Sequence, residues 1–75
     1  MKPLKIRRDG ARAWLLSDAL TGVDIGGVRY EHASDGQHYR PWLFVEGVRH
    51  TLEDRLPQLA MAARAVEEAL KRDRP

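Results

Sequence analysis

The chain has 75 residues, no cysteine, and 13 lysines and arginines against 11 aspartates and glutamates, for a net charge of +2. That length allows one domain, residues 1–75, with a single small core and a thin stability margin. Without a thiol, disulfides, thiolate zinc sites, iron–sulfur clusters and cysteine nucleophiles are excluded.

The N-terminal residues Met1–Arg8 carry charge but no following apolar run, so no signal peptide is expected. The longest mostly apolar stretch, Leu56–Ala63, is too short to span a bilayer. These features predict a cytoplasmic protein without a membrane partner. Arginine greatly outnumbers lysine, which points to a GC-rich bacterial or phage source. The charge is uneven along the chain: residues 1–17 hold a basic surplus of four, and residues 18–36 a deficit of three.

Lys2 to Leu16 reads as a β-hairpin turning at Asp9-Gly10, a pair that accepts positive φ. A two-residue turn there sets Arg7 opposite Arg12 and Lys5 opposite Trp14. One face then carries Leu4, Ile6, Ala13 and Leu15; the other carries Lys5, Arg7, Arg12 and Trp14. Ser17–Thr21 reads as a polar connector, and Gly22–Gly27 as a break that could hold a bulge. Val28–Ala33 alternates as a strand, with Val28, Tyr30 and His32 on one side and Arg29 and Glu31 on the other. After a turn at Ser34–Gln37, His38–Val45 forms an aromatic-rich strand. Tyr39, Pro41, Leu43 and Val45 share one of its faces; His38, Arg40, Trp42 and Phe44 share the other. Pro41 has no N–H to donate, which predicts an edge strand or a bulge at that point. Glu46-Gly47 is a further turn, and Val48–Leu52 a short last strand.

Leu52, Leu56, Leu59, Ala63, Val66 and Leu70 recur at spacings of three and four, the apolar stripe of a helix. Asp54 is the expected N-cap, with Pro57 in the first turn. The predicted fold class is therefore α+β: an antiparallel sheet of four to five strands, N-terminal hairpin first, covered on one face by a single C-terminal helix. The helix stripe could also pair with a second copy, so monomer and homodimer both remain open.

Chemistry finds little support. His32, His38 and His50 are not at metal-ligand spacing, Ser17 and Ser34 lie outside any nucleophile motif, and Gly22-x-x-x-Gly26-Gly27 lacks the lysine of a phosphate-cradling loop. No catalytic residue, metal or cofactor is expected, and the function class is a non-enzymatic binding module. Two partners fit. Lys5, Arg7, Arg12 and Trp14 combine cations with a ring, the composition that holds a phosphate backbone, and favour nucleic acid. His38, Arg40, Trp42 and Phe44 are hot-spot residue types and suit a protein target, or a nucleoprotein complex of a host. In that alternative the chain is a small inhibitor or adaptor, of which phage-encoded anti-CRISPR proteins are an example.

Gly27-Val28-Arg29, Trp42, the Glu46-Gly47 turn and the helical run Ala62–Ala69 follow one another in an order that resembles AP2-type DNA-binding domains. The resemblance covers about residues 27–70. It implies a three-stranded sheet backed by a helix, with Arg and Trp on the sheet reading the major groove. Leu56-Pro57 stands where those domains carry an aromatic residue and a threonine.

Overall fold

Period-two alternation and a set of turns with positive φ divide the chain into five strands and one helix. The computed structural model describes residues 4–34 and 36–72; Lys2 and Asp35, assigned above to the first strand and the second turn, lie outside the described residues. The elements are β1 (Leu4–Arg8), β2 (Ala13–Asp18), β3 (Asp24–Ala33), β4 (Gly36–Val45), β5 (Val48–Thr51) and α1 (Leu59–Arg72). The strands form one antiparallel sheet in sequential order, β1 to β5, and α1 packs across β3 and β4. This is the α+β arrangement expected from the sequence. Among the described residues, no helix is long and apolar enough to cross a membrane.

The β4–β5 turn shows the local cause most clearly. Glu46 and Gly47 have φ of 51° and 81°, and Val45 pairs directly with Val48. That is a two-residue turn with both central residues left-handed, whose twist suits a hairpin.

The first hairpin departs from its expected register. Arg8 pairs with Trp14, Arg7 with Leu15 and Lys5 with Ser17, a shift of three residues from the tight Asp9-Gly10 turn. A longer loop replaces that turn, closed by Asp9 N–H donating to the Ala13 carbonyl at 2.9 Å. Arg8 ties it further, its Nε and Nη2 donating to the carbonyls of Gly10 and Ala11. An odd shift exchanges the faces of one strand relative to the other. Trp14 and Leu16 therefore lie with Leu4 and Ile6, while Lys5 and Arg7 lie with Ala13 and Leu15.

Gly26 and Gly27 sit within β3, which begins at Asp24, and the bulge expected in Gly22–Gly27 falls at Ile25, since Leu16 pairs with Gly26 but Ser17 with Asp24. Pro41 is on an interior strand, yet the ladder yields there as its chemistry requires. Leu52 N–H donates to the Pro41 carbonyl at 2.9 Å, and the Leu52 carbonyl, facing the missing N–H, accepts from Arg40 Nε at 3.2 Å instead. Residues 53–55 then bulge out before Leu56 rejoins β4 by a two-way backbone bridge to Tyr39.

That bridge also sets where the helix begins. Leu56 is held extended, as a residue before proline prefers, so Asp54 and Pro57 precede α1 and the helix starts at Leu59. Leu52 and Leu56 pack on the core as extended chain; Ala62, Ala63 and Val66 are the buried helix residues, against Leu16, Val28 and Leu43. Val66 is fully buried, so Val66→Ala should cost about 1.5–4 kcal/mol, whereas Arg64→Ala on the exposed side should cost almost nothing. Urea melts of the two variants check this ranking.

Candidate nucleic-acid interface

The strand registers assign every strand side chain to one of two faces. The helix-covered face carries Trp14, Leu16, Val28, Tyr39, Pro41 and Leu43. The opposite face carries Lys5 and Arg7 from β1, Arg29 and Glu31 from β3, His38, Arg40, Trp42 and Phe44 from β4, and Arg49 from β5. Asp24 lies there too, opposite Ser17, whose hydroxyl donates to it at 2.9 Å.

The first expected group, Lys5, Arg7, Arg12 and Trp14, is thus divided. Lys5 and Arg7 share the helix-free face, both exposed, with Arg7 within 3.7 Å of Asp24. That pair is well solvated and worth little in stability. Arg12 lies in the β1–β2 loop, its carbonyl accepting from Tyr30 N–H at 2.8 Å. Trp14 is half-buried on the helix side, against the core, with its ring centroid 5.7 Å from that of Tyr39. Tyr39 in turn meets Tyr30 at 4.9 Å. Trp14 belongs to an aromatic cluster beside the core, because burial of Leu16 carries its alternate neighbour to the same side.

The second group, His38, Arg40, Trp42 and Phe44, is brought together. Trp42 and Phe44 meet edge to face at 4.9 Å, and the Arg49 guanidinium lies 4.0 Å over the Trp42 ring, a cation–π contact. Trp42 is only 5% exposed although α1 packs on the other side of the sheet. Its ring packs against the bare backbone of Gly27: a Cβ there would come within 2.4 Å of the ring. His38 is nearly buried and bonds Glu31 at 3.1 Å, and Arg40 Nη1 is 3.7 Å from the same Glu31 oxygen. Among the described residues, no group of three or more potential metal ligands is assembled.

Sequence reasoning missed the basic cluster that the fold creates beside this group. A cleft of about 400 Å³ is lined by Arg12, Arg29, Arg40 and Arg55, together with Glu31 and His38. The register places Arg29 and Arg40 directly opposite each other, and the Leu56 bridge brings Arg55 alongside β4. The first of these was open to sequence reasoning. Counting outward from the β3–β4 turn, with Ala33 opposite Gly36, sets position 29 against position 40. The approach of Arg55 depends on the bulge after Leu52 and had no local signal.

No protein-family model, curated protein or solved structure matches the chain. The likeness to AP2-type domains therefore rests on the order of features alone, and the sheet has five strands where that likeness implies three.

Proposed function

We propose that this domain is a non-enzymatic binding module whose partner is nucleic acid, held on the sheet face opposite the helix. One observation supports this reading above the rest. Among the described strand residues, that face gathers Lys5, Arg7, Arg29, Arg40 and Arg49 from four strands against Asp24 and Glu31, with Phe44 half-buried among them. Cations spread over a sheet can follow a phosphate backbone, and a half-exposed ring can pack on sugars or bases. A sheet laid against a duplex is an established docking geometry.

Three net positive contacts imply a log–log salt slope of roughly −2 to −3 on duplex DNA. Replacing Lys5 and Arg7 by alanine should flatten that slope by about one unit per lost phosphate contact and weaken all sequences alike. Gel shifts and anisotropy titrations at several salt concentrations measure it. Absence of binding to both duplex and single strands at low salt would refute the reading.

The protein-binding alternative is favoured by the common face of His38, Arg40, Trp42 and Phe44, an aromatic pair beside an arginine. It predicts capture of a defined host protein that survives nuclease treatment and is lost in Phe44→Ala.

A further inference from the structure

The four arginines of the cleft form a row across the sheet. Arg12 stands beside β3 through its bond from Tyr30 N–H, Arg29 and Arg40 are cross-strand partners, and Arg55 flanks β4 next to the Leu56–Tyr39 bridge. They come from four separate segments and meet at one cleft of about 400 Å³, a volume in the range of small-molecule sites.

One part of this placement works against the fold. Like charges directly opposite in an antiparallel ladder disfavour the pairing, and Arg29 faces Arg40. Among the described residues, Glu31 is the sole carboxylate of the lining, and it already serves His38 and Arg40. Among the described residues, the side chains of Arg12 and Arg29 make no hydrogen bond or ion pair. Counted as formal charges of the described lining side chains, with His neutral, four arginines stand against one glutamate, and Arg55 has an interaction of its own besides. An anion entering the cleft turns this repulsion into attraction.

Charge and geometry then select the anion. A guanidinium is a planar fork suited to paired phosphate oxygens. A phosphomonoester brings close to two charges at neutral pH and three terminal oxygens. An internal phosphodiester brings one charge and two free oxygens. We propose that Arg12, Arg29, Arg40 and Arg55 form a subsite for a phosphomonoester, the terminal phosphate of a nucleic-acid strand. This rests on the nucleic-acid reading above and adds an end preference to it.

The experiment compares short single strands of one sequence bearing a 5′-phosphate, a 3′-phosphate or neither, by anisotropy at fixed salt. A phosphorylated end should bind about tenfold tighter, the effect of one added charge-assisted hydrogen bond. Inorganic phosphate at millimolar concentration should erase that ratio. In the double variant Arg12→Gln/Arg29→Gln the ratio should fall to near one, with thermal melting run alongside to show that it is folded. Arg29→Lys, which keeps the charge but loses the fork, should retain only part of the ratio. Equal binding of phosphorylated and unphosphorylated strands overturns the subsite and leaves the nucleic-acid reading standing. Binding of no strand overturns both. Binding of inorganic phosphate or a phosphoserine peptide, with no strand bound, assigns the cleft to another phosphate source and overturns the proposal.

Discussion

Trp42→Ala should remove about 3–5 kcal/mol, the usual cost of deleting a buried large aromatic ring. A domain of 75 residues has roughly 4–11 kcal/mol of stability in total, so this variant should lose from about a quarter to all of it. The expectation follows from how the ring is enclosed. Gly27 leaves open the space that the ring fills, Phe44 meets it edge to face, and the Arg49 guanidinium lies over the ring. At 5% exposure, the indole is a core residue on the side of the sheet away from α1. Urea denaturation measures the effect, and Phe44→Ala, on a half-buried ring, should cost distinctly less. A Trp42→Ala midpoint equal to that of the native chain would mean that the ring is not enclosed in this way. From the sequence, Trp42 is a candidate contact residue; its burial makes it a structural one as well. Phe44 is the better probe of this face, because a binding defect there can be separated from unfolding.

Gly27→Ala should be nearly as damaging. The added methyl would sit 2.5 Å from the Trp14 carbonyl oxygen as well as 2.4 Å from the Trp42 ring. One obstacle is strand backbone and the other a ring packed on its far side, so neither can yield cheaply. Overpacking usually costs about 1–3 kcal/mol, and two rigid contacts put this site at the upper end or beyond. A loss of about 3 kcal/mol lowers the melting temperature of a domain this small by roughly 12–24 °C. Combining Gly27→Ala with Trp42→Ala should give less than the sum of the two losses, since the smaller residue vacates the space that the methyl needs. Strict additivity in that cycle would place the clash at Trp14 alone.

How far the sequence reveals this fold depends on whether a segment's apolar residues choose one face. In β4 the alternation separates His38, Arg40, Trp42 and Phe44 from Tyr39, Leu43 and Val45, as observed, but both sets are apolar enough that the pattern left open which of them meets the helix. The helix stripe is clear at Ala63 and Val66. Ala13-Trp14-Leu15-Leu16 is apolar on both faces, so its pattern could not distinguish two registers, and the turn residues suggested the wrong one. The helix start was misplaced because a regular spacing of leucines was followed through Pro57, although the residue before proline resists helical geometry. The site was legible in part. Residue types predicted a basic and aromatic face, but register decides which cations share it. The hairpin shift separated Trp14 from Lys5 and Arg7 and left Arg29, Arg40 and Arg49 as their companions.

The sequential strand order has a consequence for how the molecule is made. Each strand pairs with the one synthesised just before it, so the sheet can grow hairpin by hairpin as the chain leaves the ribosome, without waiting for a distant partner. The cover is different. Leu16, Val28 and Leu43 wait for Val66 of α1, and at roughly 5–20 residues per second that lag lasts about one to four seconds after β4 has emerged. During that interval a nascent sheet shows a bare apolar face and the open edge of β1, the two surfaces that attract neighbouring chains and chaperones alike.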